Sequence, residues 1–297
     1  MIILRITGGL GNQMFQYALG RQLAETHRTL LKLDLSSFES DYRKYDLHCF
    51  HTQAYPATPE EIEDVQGSYG VVEEVALKIT RKIGFRGSAL RLARKGVAVQ
   101  EKQFHFEPSV LSVPKYSYLD GYWQTERYFP DVREILRREF QVKYSQDSKS
   151  RSLSDLISHT NSVAIHIRRG DYVSNPGYHD IHGLCSLDYY HRSIRWIVDK
   201  VSDPHFFVFS DEPRWAKENL KIASLATIVD HNGGDRSYED LRLMSQCKHQ
   251  IIANSSFSWW AAWLNNNPKK SVIAPLRWFN DASVDAKDLV PSSWLRL

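Results

Sequence analysis

Residues 162–171, SVAIHIRRGD, constrain this chain more than any other stretch. The apolar, partly β-branched run at 163–167 reads as a buried strand. His166, Arg168, Arg169, Gly170 and Asp171 come at its carboxyl end, and in open α/β sheets ligands bind in the crevice outside such ends. Two adjacent guanidinium forks need anionic company there, and their geometry matches phosphate or carboxylate. An interdomain ion pair with Asp or Glu is the plain alternative. A diphosphate-bearing ligand is the reading carried forward.

The chain opens on the same rhythm. Residues 2–6 read as a parallel strand, TGGLGNQ at 7–13 as a glycine-rich turn, and 14–24 as a helix. Backbone N–H groups and a helix N-terminus face an anion in that setting, which makes Gly9 and Gly11 candidate contacts. Residues 30–33 then form a second strand ending at Asp34. An acidic residue about 20 positions beyond the glycines would hold a ribose, so a dinucleotide site is an alternative. Against it, Met14 occupies the place of the third glycine. Asn12 and Gln13 are odd residues for a plain turn, and their amides suit hydrogen bonds to a sugar.

From 71 to 95 the pattern is helical and basic: Lys78, Arg81, Lys82, Arg86, Arg91, Arg94 and Lys95 follow Glu74 with no further acid. A solvated face is the default. Peripheral contact of the 78–95 stretch with an anionic membrane surface is the sharper reading. Residues 116–127, YSYLDGYWQTER, set aromatic faces beside polar groups, as a sugar or an aromatic corner of the core would need. Residues 131–140 carry a helix pattern. The polar, Ser-rich stretch 146–161 reads as a linker dividing the chain into 1–150 and 151–297.

In the second half, FFVF at 206–209 is a strand ending at Ser210 and Asp211. Residues 251–253 form another, followed by Asn254, Ser255, Ser256 and Phe257 and a helical WWAAWL. Ser255 and Ser256 offer donors to a phosphate, or ordinary helix caps. His179 and His182 make a weak metal pair that no further His or Cys cluster accompanies, and no metal site is expected. A parallel sheet would gather His166, Arg168 and Arg169, then Asp211, then Asn254, Ser255 and Ser256 into one crevice. That is the donor set of a nucleoside-diphosphate site.

Composition narrows the classes further. At 297 residues and 42% hydrophobic content the chain has ample material for a core, so general disorder is excluded. Lys and Arg number 38 against 35 Asp and Glu, which gives no case for nucleic acid. Cys49, Cys185 and Cys247 lie far apart, neither a disulfide framework nor a zinc site, and fit a reducing compartment. The opening residues read as a strand rather than a signal peptide, and no apolar run reaches the roughly 18 residues of a membrane span. The expected location is cytoplasmic, at the inner face of the membrane if the basic stretch attaches there.

Taken together, GGLGNQ at 8–13, HIRRGDY at 166–172, SDEPRW at 210–215 and NSSFSWWAAW at 254–263 resemble the α-1,2-fucosyltransferases of glycosyltransferase family 11. GYWQTERYF at 121–129 is similar to that family too. The resemblance implies an α/β, GT-B-like fold: two Rossmann-like domains facing a cleft, 1–150 on the acceptor side and 151–297 holding the donor. It implies inverting, metal-independent transfer of L-fucose from GDP-β-L-fucose to the 2-hydroxyl of a galactose-terminated glycan, with no cofactor. It matches Arg168 to an arginine on the β-phosphate and His166 and Asp211 to nucleoside contacts. Ser255, Ser256 and Phe257 match the donor-phosphate loop, and Asn12 falls beside the transferred sugar. Gly9, Gly11, Arg169 and Asn254 complete the expected donor contacts. Asp171 is the candidate base, or alternatively orients Arg168. On the residues alone two other classes stay open: an NAD-dependent nucleotide-sugar dehydrogenase or epimerase using the glycine turn and Asp34, and a non-catalytic glycan-binding protein.

Overall fold

The computed structural model describes residues 1–39, 43–66, 96–170, 173 and 180–297. The N-terminal half forms a parallel sheet from β1 (Ile2–Arg5), β2 (Leu31–Asp34), β3 (Tyr55–Pro56), β4 (Val97–Gln100) and β5 (Ser117–Asp120), ordered β3-β2-β1-β5-β4. The second half forms another from β6 (Asn161–Ile167), β7 (Pro204–Ser210), β8 (Ala226–Val229), β9 (His249–Ile251), β10 (Val272–Ala274) and β11 (Leu295–Arg296), ordered β11-β10-β9-β6-β7-β8. Helices on both faces explain why the central strands are continuously apolar. Alternation along β6 and β7 still sorts the side chains. Ala164, Phe207 and Phe209 enter a core shared with the first half, while Val163, Ile165, Phe206 and Val208 enter a separate outer cluster.

The helices are α1 (Leu10–His27), α2 (Pro59–Gln66), α3 (Arg133–Glu139), α4 (Ser148–His159), α5 (Leu187–Lys200), α6 (Pro213–Asn219), α7 (Ser237–Gln246) and α8 (Ser256–Leu264). The linker expected across 146–161 is corrected by α4. Asp147 caps it by accepting the Ser150 N–H at 2.8 Å, and Ile157 is buried beneath it. Serine-rich composition concealed a helix whose apolar stripe is only one side chain wide at its most buried point.

The two halves are joined by aromatic packing. Phe15 of α1 meets Trp259 and Trp260 of α8 at centroid distances of 4.5 and 5.0 Å. Phe129 stacks on Trp260 at 5.5 Å, and Phe140 meets it edge-on at 5.1 Å. Buried indoles need partners for their N–H groups. Trp259 donates to the Leu289 carbonyl and Trp263 to the Glu126 carboxylate, at 2.9 and 3.0 Å. Among the described residues no helix is long and apolar enough to cross a membrane. The basic stretch 78–95 lies outside the described residues.

Strand order reverses beside β1 in the first sheet and beside β6 in the second. A crevice opens at such a switch point because successive connections leave to opposite faces. The glycine-rich turn follows β1 and the arginine pair follows β6, so both motifs stand where their sheets divide.

Candidate active site

After β1 the chain turns through Gly8 at φ +74, a left-handed conformation that a side chain would strain. Gly9 is the N-cap of α1, and neither α1 nor α8 has an acidic residue in its first turn. The two helices meet N-terminus to N-terminus. A Cβ on Gly11 would collide with the main chain of Ser256 and Phe257, while Trp260 donates to the Gly11 carbonyl at 3.1 Å. The missing side chain of Gly11 thus admits the other half of the protein, a need for glycine separate from the backbone contact expected of it. Gly9 instead lies under the guanidinium of Arg43, whose Nη1 would be 3.5 Å from a Cβ there.

The amides of the turn divide their work. Gln13 is fully buried. It donates to the Gly8 and Lys44 carbonyls, both at 2.8 Å, and accepts the Asp46 N–H at 2.8 Å, so its expected sugar contact is corrected to a structural clamp. Asn12 is half-buried. Its Oδ1 accepts from Ser256 Oγ at 2.7 Å and from Gln124 Nε2 at 2.8 Å. Asp34, the acid a dinucleotide would need, is buried. Its carboxylate accepts from the Tyr118 hydroxyl at 2.6 Å and the Ser36 N–H at 3.0 Å. With Gly11 filled and Asp34 engaged, the dinucleotide reading fails.

At the end of β6, His166 is buried and its Nδ1 has no hydrogen-bond partner. Burial, and then the nearby Arg168 charge, push its pKa down to about 3, so the imidazole is neutral at physiological pH. Its ring lies 5.5 Å from that of Phe257. Arg168 is half-buried and pairs with Asp211 at 3.1 Å; Asp211 also accepts the Arg169 N–H at 3.0 Å. The acid expected at the nucleoside thus holds the catalytic arginine candidate in this structure. Arg169 turns the other way. It pairs with Glu212 at 3.1 Å and covers Trp215 at 3.7 Å, because successive residues leaving a strand point to opposite sides. Both guanidinium forks are thus ion-paired within the second half, Arg168 to Asp211 and Arg169 to Glu212, and neither forms the interdomain pair named as the plain alternative.

Asn254 is likewise corrected. It is buried and donates to the carbonyls of His182 and Trp278 at 2.8 and 3.1 Å, tying loops together rather than reaching a ligand. Ser255 begins α8 without a side-chain capping bond. Asp171 and His179 lie outside the described residues. Among the described residues no group of His, Cys, Asp or Glu side chains gathers in a way that could hold a metal ion. The expected residues that do converge form one chain of contacts: Asn12 to Ser256, Phe257 to His166, and Arg168 to Asp211.

Glu101 and Arg43 have no signal in the sequence, while Gln124 and Trp123 stand out only as members of the aromatic-polar stretch and not by role. Gln124 reaches Asn12 from the loop after β5, within the aromatic-polar stretch already singled out. Trp123 before it is held at φ +56, a strain of about 1–2 kcal/mol for a side-chain-bearing residue. Glu101 supports that turn by accepting the Tyr122 and Trp123 N–H groups at 2.6 and 3.0 Å. Arg43 belongs to no periodic pattern, and only its place over Gly9 marks it.

The family model described as Glycosyl transferase family 11 matches residues 100–296. An Escherichia coli protein named alpha-1,2-colitosyltransferase is 36% identical, over 100% of this chain and 99% of its own length. The galactoside alpha-(1,2)-fucosyltransferase 1 of Rattus norvegicus is 28% identical over 56% of this chain and 45% of its length. Among solved structures, a mutant of Arabidopsis thaliana FUT1 in complex with GDP superposes with a TM-score of 0.51 at 14% identity, covering 99% of this chain and 75% of that one. That likeness gives the fold, a GT-B arrangement of two parallel-sheet halves. With the family model covering most of the chain and a relative aligned from end to end, the chain belongs to glycosyltransferase family 11.

Proposed function

We propose that this glycosyltransferase moves L-fucose from GDP-β-L-fucose to the 2-hydroxyl of a galactoside, with inversion and without a metal. One observation carries the reading: a half-buried arginine, Arg168, stands at the switch point of the second sheet beside a buried, unpartnered histidine nitrogen. A buried polar atom without a partner calls for an explanation, and a nucleoside edge would supply the missing bond to His166 Nδ1. As the bond from C1 to the departing oxygen breaks, charge grows on the β-phosphate. A fixed cationic donor stabilises that charge without reorganising. Arg168 would meet the diphosphate by sharing or exchanging Asp211, and the first turns of α1 and α8 add two uncompensated positive helix ends. Asp171, three residues past Arg168, is the candidate to take the acceptor proton.

A second donor is favoured by a specific observation, the end-to-end match to an alpha-1,2-colitosyltransferase. Colitose is L-fucose without its 3-hydroxyl, so the same diphosphate site would serve both. Calorimetry of GDP in EDTA, followed by transfer assays with GDP-fucose and GDP-colitose on galactose-terminated acceptors, tests both readings. GDP binding in EDTA with transfer from either sugar is expected. Arg168→Ala should lower kcat by about 10²-fold or more. Absent GDP binding, or an Arg168→Ala enzyme with normal turnover, would sink the proposal.

A further inference from the structure

The loop after β5 is built to aim one side chain. Glu101 accepts the N–H groups of Tyr122 and Trp123, burial pushes its own carboxyl pKa up, and Trp123 is held in a left-handed conformation. The outcome is that Gln124 turns inward, buried, with Nε2 donating to Asn12 Oδ1 at 2.8 Å. The other donor to the same oxygen is Ser256 Oγ at 2.7 Å. An amide oxygen has two lone pairs, so Oδ1 is saturated and the carboxamide of Asn12 cannot turn over. Its Nδ2 is left over Gly8, where a Cβ would come within 2.7 Å of it. The glycine keeps that space open.

We infer that Gln124 is a positioning residue which, with Ser256, fixes the polarity of Asn12 so that Asn12 Nδ2 donates to an oxygen of the transferred sugar rather than of GDP. The inference rests on the proposed glycosyl transfer and deepens it. It makes the acceptor-side loop after β5 and the phosphate-side start of α8 act on one amide. Ser256 alone would leave one lone pair open and the amide free to rotate. Gln124 closes it.

Two replacements separate this role from plain packing. Gln124→Met keeps the shape and removes the donor. Gln124→Glu keeps the shape but presents only an acceptor, which repels Oδ1 and draws Nδ2 inward, inverting Asn12. We expect kcat to fall about tenfold in the Met variant, the scale of one hydrogen bond, and about a hundredfold in the Glu variant. GDP affinity should stay within about twofold, and the melting temperature should fall by only a few degrees, roughly the cost of one hydrogen bond, in both. The Asn12→Asp background completes the test, because Asp retains an acceptor for both donors but has no N–H. There Gln124→Met should cost nothing further, since residues acting through one another are non-additive.

If wild type neither binds GDP nor transfers sugar, the underlying reading fails. If wild type is active, three results would overturn the role of Gln124. These are normal kcat in either variant, loss of kcat in step with GDP affinity or melting temperature, and an undiminished Met effect in the Asn12→Asp background.

Discussion

His166 is the residue at which burial and chemistry are most sharply opposed. Its folded imidazole titrates near 3, against about 6.5 when unfolded. As pH falls, the unfolded chain takes the proton first, so this contribution to stability is full above about pH 6.5 and declines toward pH 3. At pH 5 the loss amounts to about 2 kcal/mol. Urea melts of wild type and His166→Phe at pH 7 and pH 5 should show the wild type losing more by about that amount, with the Phe variant also binding GDP roughly tenfold less tightly. An equal loss in both proteins would mean that the imidazole is not kept neutral by the fold. At this scale the sequence was partly legible. His166 and Arg168 were visible as polar residues ending an apolar strand. The diversion of Arg169 to Glu212 and Trp215 was not, because neighbouring letters do not say which side of a strand end each side chain takes.

The element that most shapes the cleft is α8, and its sequence announces it: tryptophans at 259, 260 and 263 make a stripe that only another hydrophobic face can cover. Its partner was not announced. The contact of α8 with α1 depends on Gly11, read from sequence as a ligand contact because glycine before a helix has that use elsewhere. The same absent side chain serves close approach of protein to protein. Gly11→Ala should therefore force the two first turns apart and destabilise the fold by about 1–3 kcal/mol, as overpacking does. GDP affinity should fall with it, since the two helix N-termini that flank the donor site would separate. Denaturant melts and calorimetry read both quantities, and an Ala variant of wild-type stability would show that the helices have slack. Helix α4 teaches the converse. Composition suggested a linker, yet Asp147 in capping position was the clue that mattered.

For the whole molecule, strand periodicity and the order of motifs were enough to read two α/β halves, whereas the core joining them was hidden. Phe15, Phe129 and Phe140 share Trp260, so neither half closes its own apolar surface. Melting followed by tryptophan fluorescence and by far-ultraviolet dichroism should coincide in one transition. Trp260→Ala should lower stability by about 3–5 kcal/mol, read from the shift of that transition. Separate transitions in wild type would show that the halves are thermodynamically independent. The Asn12–Ser256 hydrogen bond spans 244 positions, and that separation has a consequence for synthesis. At translation rates of about 5–20 residues per second, α1 leaves the ribosome roughly 12–50 s before the helix that covers it. Throughout that interval Phe15 lacks the two tryptophans that cover it, and no nucleotide can help the chain fold because half of the cleft has yet to be made.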